Sequence, residues 1–319
     1  MALLFFVAVG VQAQPSQPPD QLSGSMSIIG TDTMKDLMAR WIQGFSAVHP
    51  RVHIQLTAKG ALTAAPALTG GSADLAPLGR EFTPGEIAGF RKQKGYDPSG
   101  VRVALGSYDI SGKTVALAFF VNAENPVVNL DFHQLQSLYC ASADGENTKP
   151  ITRWGQLGLS GEWASREIHL FGVNFPDGIS NFIRLRICKG GEFRAGIHEE
   201  HTGGAINVLD RIVLDVTRDQ AAIGYAGFAN LKPGSKLVPL SETGPYLQGT
   251  RDEVATTQYP LTRYIYIFFD RTPGKPVPAL EAAFLDYVLS PAGQALIGID
   301  NIYMPLPPAI TESQQRQLH

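Results

Sequence analysis

The sequence predicts an α/β protein, folded as two domains or one large one, on three observations. Its 319 residues are roughly twice a typical single domain and leave ample core to bury. Apolar residues at helical spacing alternate along the chain with short apolar or β-branched runs. The 33 glycines and 22 prolines, with 44% hydrophobic and 17% charged residues, indicate a folded chain rich in tight turns and exclude a disordered one.

From the N-terminus, Met1 to Val9 is a short apolar run that leads to Val11-Gln12-Ala13, the small-residue pattern of a signal-peptidase site, with no Lys or Arg before it. A run this short cannot span a bilayer, which needs about 20 helical residues. Residues 1–24 are therefore read as an export signal and a disordered leader rich in Pro, Gln and Ser. A soluble, exported, periplasmic protein is expected.

Ile28-Ile29 reads as a strand ending in the turn Gly30-Thr31-Asp32-Thr33. Met34, Leu37, Met38, Trp41, Ile42, Phe45 and Val48 then recur as the apolar stripe of a helix. Val52, Ile54 and Leu56 alternate as a strand, Gly60 opens a second turn, and an Ala-rich helix over Ala64 to Leu68 stops at Gly70-Gly71. Asp74-Leu75-Ala76 is a short strand, and Thr83-Pro84-Gly85-Glu86 is a capping box with proline at the first helical position. The runs Val101 to Leu105 and Val115 to Val121 have the composition of buried strands. Helices follow over Phe132 to Cys140, Ile179 to Cys188 and Ala205 to Val216, with a strand at Ile223 to Ala226. A strand at Tyr264 to Phe269, a helix at Leu280 to Leu289 and another opened by Ser290-Pro291 complete the pattern.

The formal net charge of −3 is scattered, which excludes an extended phosphate backbone as partner, so no nucleic acid is expected. There is no Walker loop and no dinucleotide fingerprint, and no cofactor is expected. In an oxidising compartment Cys140 and Cys188 form either one disulfide or two buried thiols, and they are too far apart in sequence for a four-ligand zinc site. His198-Glu199-Glu200-His201 has the look of a metal pair, but its spacing fits a solvated polar loop better, so no metal is expected. Two turns, Gly30-Thr31-Asp32-Thr33 and Asp177-Gly178-Ile179-Ser180-Asn181, put hydroxyls and backbone N–H groups at helix N-termini, which favours an anion. The plainer reading is that Thr31, Asp177 and Ser180 only cap helices.

Taken in order, Ile29-Gly30-Thr31-Asp32-Thr33-Met34, Lys59-Gly60-Ala61-Leu62-Thr63, Gly71-Ser72-Ala73-Asp74-Leu75-Ala76, Ala222-Ile223-Gly224-Tyr225-Ala226, Tyr259-Pro260-Leu261-Thr262-Arg263, Leu289-Ser290-Pro291-Ala292-Gly293-Gln294 and Tyr303-Met304-Pro305-Leu306-Pro307 resemble the periplasmic phosphate-binding proteins of phosphate ABC transporters. These belong to the type II periplasmic-binding-protein superfamily. The resemblance covers most of residues 27–308 and implies two α/β lobes, each with a central mixed sheet, joined by two crossover strands. It places the first lobe at 25–112 plus 230–319 and the second at 113–229, with crossings near Tyr108 to Val115 and Gly227 to Leu231.

It also implies a small oxyanion, phosphate first, held in the interlobe cleft of a monomer that docks on an ABC permease. Residue by residue, the implied ligand set is Thr31, Asp32, Thr33, Thr63, Arg80, Gly178, Ser180 and Asn181. The chain departs from the family pattern at Ala61, at Gly79 where an aspartate often stands, and at Asn174 in place of an arginine. Two other readings stand beside this one, a secreted hydrolase using Ser180 and a regulatory or sensor protein with a degenerate site. The first lacks a nucleophile elbow and a suitably spaced His.

Overall fold

The computed structural model of the chain describes residues 22–141, 149–203 and 205–319, so the export signal and nearly all of the leader expected over 1–24 lie outside the described residues. The first part of the chain forms β1 (Gly24–Gly30), α1 (Lys35–Val48), β2 (Val52–Ala58), α2 (Ala64–Thr69), β3 (Leu75–Leu78), α3 (Pro84–Lys94) and β4 (Ser99–Leu105). The middle forms β5 (Leu117–Asn122), β6 (Leu130–Asp131), α4 (Phe132–Tyr139), β7 (His169–Val173), α5 (Gly178–Arg186), β8 (Ile197–Glu200), α6 (Val208–Arg218), β9 (Ala222–Gly227), β10 (Ser235–Val238) and β11 (Leu240–Ser241). The last part forms α7 (Arg251–Ala255), β12 (Tyr264–Phe269), α8 (Ala279–Leu289), α9 (Pro291–Ala295) and α10 (Pro308–Leu318).

Two mixed five-stranded sheets organise these elements. One has the order β2-β1-β3-β12-β4, with β1 parallel to β2 and β3 and β12 antiparallel to its neighbours. The other has the order β10-β5-β9-β7-β8, in which β9, β7 and β8 run parallel and β5 opposes both β9 and β10. Every residue of β5 and β9 is buried, as their uninterrupted apolar composition requires of central strands covered on both faces. α6 packs its stripe of Val208, Leu209, Ile212, Val213 and Val216 against this sheet, and Gly224 lets Ile212 approach, since a Cβ there would sit 2.6 Å from its Cγ2. Each such fully buried aliphatic side chain stabilises the fold by about 1.5–3 kcal/mol. In the first lobe α1 buries Leu37, Met38, Trp41 and Phe45, and the Trp41 indole N–H donates to Gly293 O at 2.8 Å.

The second crossing differs from expectation. β10 folds back onto β5 in the second sheet and β11 pairs with β6, so the chain does not return at residue 230 but over 242–263. The first crossing is 106–116, and the two run side by side, with Gly106 N donating to Arg263 O at 2.8 Å and Leu117 N to Leu261 O at 3.2 Å. His198-Glu199-Glu200, read above as loop, forms the edge strand β8. Its exposed, charged residues on both faces hide the strand from any alternation test. Cys140 and Cys188 form a disulfide, with Cα atoms 5.4 Å apart, tying the end of α4 to the end of α5. No single helix among the described residues is long and apolar enough to cross a membrane.

Candidate functional site

A cavity of about 230 Å³ lies between the lobes, where the loops after β1, β3 and β7 and the two crossings converge. On the β1 side, Thr31 caps the helical turn that becomes α1. Its hydroxyl accepts from Thr33 N at 3.4 Å and lies 3.0 Å from the Thr33 hydroxyl. Gly30 is required because a Cβ would fall 2.2 Å from Pro77 O, where β1 abuts the end of β3. After β3 come Gly79 and Arg80. The Thr114 hydroxyl, from the first crossing, donates to Gly79 O at 2.8 Å, and a Cβ on Gly79 would collide with it at 2.1 Å. Lys113 extends beside Thr114, its Nζ 3.5 Å from Thr33 O.

The second lobe contributes Asp177, Gly178 and Ile179 at the N-terminus of α5. Asp177 caps the helix by accepting from Ile179 N at 2.7 Å. The N–H groups of this first turn have no carbonyl within the helix to bond. Arg263, from the second crossing, closes the cavity from the first-lobe side. It is 4% exposed, lies over the Phe182 ring at 5.1 Å and donates through Nη2 to Gly178 O at 3.2 Å, a direct bond between the lobes. Burial pulls its guanidinium below the usual arginine range, while Glu81 and Asp177 pull against that shift.

Arg80 plays a different part from the one expected. Its fork is held by Glu86 on α3 at 2.7 and 2.8 Å, and its stem packs on Gly178, where a Cβ would meet its Cδ at 2.5 Å. Burial alone would raise the Glu86 carboxyl, but hydrogen bonds from Arg80 and Thr83 outweigh it and hold the group below its ordinary value. The charge of Arg80 is thus already matched within the first lobe, and its stem forms the wall against which the N-terminus of α5 packs.

Of the eight residues expected at the site, Thr31, Thr33, Arg80 and Gly178 line the cavity. Asp32 points to solvent. Thr63 is turned onto the backbone, donating to Gly60 O at 2.7 Å. Ser180 is fully buried, donating to Asn174 O and Asp177 O and accepting from Asp177 N at 3.1 Å, so its hydroxyl holds the α5 cap and is not presented as a nucleophile. Asn181 is buried behind it. Lys113, Thr114, Asp177 and Arg263 line the cavity outside the implied ligand set. Asp177 had a signal as a helix cap, whereas the others reach the cavity only through the pairing of the crossings. His198 lies 3.2 Å from Glu200, and among the described residues no group of three or more His, Cys, Asp or Glu side chains could hold a metal ion.

Residues 15–292 match the family model described as a PBP superfamily domain. A phosphate-binding protein PstS from Pseudomonas aeruginosa is 33% identical over 332 aligned residues, covering 100% of this chain and 98% of the relative. The chain belongs to the PstS family. Solved structures agree on the two-lobed fold. An ABC-type phosphate transport receptor from Vibrio cholerae covers 88% of this chain and is itself covered completely, with 19% identity and a TM-score of 0.56. PstS from Borrelia burgdorferi covers 89% and is covered over 99% of its length, with 16% identity and a TM-score of 0.57. The Asn174 carbonyl accepts from the Ser180 hydroxyl.

Proposed function

We propose that this PstS-family chain is a periplasmic receptor that captures phosphate between its lobes and presents it to an ABC permease. The observation that supports this above all is the meeting of a helix N-terminus from each lobe with Lys113 and Arg263 at one interlobe cavity. A buried oxyanion needs several aimed donors and at least one cation to offset its desolvation. Thr31, Thr33 and Thr114 supply hydroxyls, the first turn of α5 supplies N–H groups, and Lys113 and Arg263 supply charge. Asp177, the carboxylate on the cavity wall, accepts the proton of hydrogen phosphate in place of the first-lobe aspartate that Gly79 replaces.

Ligand favours the closed state by touching both lobes at once, and Arg263 to Gly178 and Arg186 to Pro260 O, at 3.0 Å, are the bonds that closure makes. No covalent step is involved, since the Ser180 hydroxyl is committed to the α5 cap. The disulfide supports an oxidising compartment and hence export. The receptor works as a monomer.

Calorimetric titration of residues 25–319 with phosphate and sulfate tests the reading. Saturable phosphate heat is expected, with sulfate weaker in the wild type and the gap between the two narrowed by Asp177→Asn. Absence of phosphate heat sinks the proposal.

A further inference from the structure

Glu81 is a charged group at the lobe boundary that the proposed phosphate chemistry does not use. It follows Arg80 beyond the end of β3 and, with Phe182, Thr262, Tyr264 and Tyr266, lines a second cavity of about 260 Å³ that adjoins the first. Its Oε1 accepts from the Tyr266 hydroxyl at 3.0 Å, whereas its Oε2 is buried without a hydrogen-bond partner. A carboxylate oxygen taken out of water in this way is costly unless a positive charge offsets it.

Arg102 and Arg186, on the same cavity, are engaged elsewhere. The Arg102 guanidinium is exposed and lies over the Tyr264 ring at 4.3 Å, and Arg186 pairs with Glu242 at 2.7 Å. Arg263 is the cation on the inner side. β3 and β12 pair antiparallel with Tyr266 opposite Leu78, and that register carried past its last pair brings Glu81 level with Arg263. The Arg263 guanidinium lies over Phe182, a side chain on the wall of Glu81's cavity, and the residue is 4% exposed. Glu81 leads Asp177 among the charges that pull this buried guanidinium back toward its usual range. An arginine carries five N–H donors, and the bond to Gly178 O occupies one of those of Arg263. Without a hydrogen bond between the two side chains, Glu81 offsets the charge of Arg263 and leaves its fork free for an anion.

We propose that Glu81 is the counter-charge that stabilises Arg263 in the unliganded receptor and thereby holds phosphate affinity down. The inference rests on the phosphate reading of the first cavity. Glu81 acts through Arg263 and does not touch the ligand. An anion that reaches Arg263 displaces an attraction already in place, and at an effective dielectric of about 20 such an attraction is large enough to move Kd severalfold. The weaker complex releases its ligand faster, which suits a receptor that hands its cargo on.

Glu81→Gln keeps the shape of the side chain and its bond from Tyr266 and removes the charge. Calorimetric titration of residues 25–319 is expected to show phosphate bound about three- to tenfold more tightly. The melting temperature without phosphate falls by about 2 °C or more, because Arg263 has lost its offset. Damage to packing lowers stability and affinity together, so the opposite signs identify a charge effect. In the Arg263→Met background the fall in melting temperature caused by Glu81→Gln disappears or turns into a rise, as a double-mutant cycle requires of an interacting pair. An unchanged or weaker phosphate Kd in Glu81→Gln, or a fall in melting temperature that persists in the Arg263→Met background, overturns the assignment. If the wild type gives no phosphate heat, the phosphate reading fails by itself, and the cycle in melting temperature, which needs no ligand, still decides whether Glu81 serves Arg263.

Discussion

Replacing Arg263 by Met is the sharpest probe of the site, because one side chain there serves both the ligand and the lobe contact. The variant keeps an apolar stem over Phe182 and removes the guanidinium. A hydrogen bond from a charged donor contributes about 1.5–3 kcal/mol, and the Nη2 bond to Gly178 O, made on closure, contributes about 0.5–1.5 kcal/mol more. Together these weaken phosphate by roughly 2–4.5 kcal/mol, or about 30-fold to 2,000-fold in Kd. At 4% exposure Arg263 has no solvent to take its place, which favours the upper half of that range. Calorimetric titration with phosphate reads the change, and the loss persists in high salt because a buried charge is screened little. Arg263→Lys retains the charge without the fork and falls between the two. A Kd for Arg263→Met within about threefold of wild type, with an unchanged melting temperature, refutes the claim that Arg263 supplies the site's buried charge.

Gly178→Ala places a methyl group 2.5 Å from the Arg80 Cδ while Glu86 holds the Arg80 fork, so closure is obstructed; phosphate affinity falls about tenfold with little change in ligand-free stability, read by calorimetry and thermal melting. Glu86 has a folded pKa below its ordinary 4.5, so its contribution to stability is fully present above that value and is lost as pH falls through the folded pKa. Denaturant midpoints followed from pH 6 to about pH 3 therefore drop more steeply for wild type than for Glu86→Gln. Reducing the Cys140–Cys188 bridge, or replacing both cysteines by Ser, releases a loop of 48-residue separation and costs about 4 kcal/mol as an upper figure, seen as a fall in denaturation midpoint.

How far the sequence carries this reading depends on the reach of each signal. The Thr31 cap and the Thr83–Glu86 capping box are local, three or fewer residues across, and both stand where spacing puts them. The buried strands β5 and β9 were legible because a strand covered on both faces must be apolar throughout. β8 was not, since an edge strand reading Ile-His-Glu-Glu carries no alternation. Ser235-Lys236-Leu237-Val238 does not alternate either, nothing in four residues says which sheet receives them, and that choice moves the second crossing from 227–231 to 242–263. Ser180 misled for a physical reason: the same hydroxyl that suits an anion suits a capping box, and the local bonds to Asp177 and Asn174 win.

The placement of charge at the cavity decides how binding proceeds. The unpaired cations of the cavity come from the crossings, Lys113 and Arg263, while Arg80 is neutralised by Glu86. In the proposed function the open receptor therefore meets its anion with the first lobe's hydroxyls and the charges of the crossings, while the second lobe brings uncharged N–H groups and the Asp177 carboxylate. Electrostatic attraction acts in the encounter, and closure rests on short-range hydrogen bonds. Added salt should then slow association more than it speeds dissociation, because the half-buried Lys113 end of the field is screened more than the buried contacts of the closed state. Stopped-flow traces at two salt concentrations separate these rates, and a salt effect confined to dissociation would place the deciding charge on the closing lobe instead.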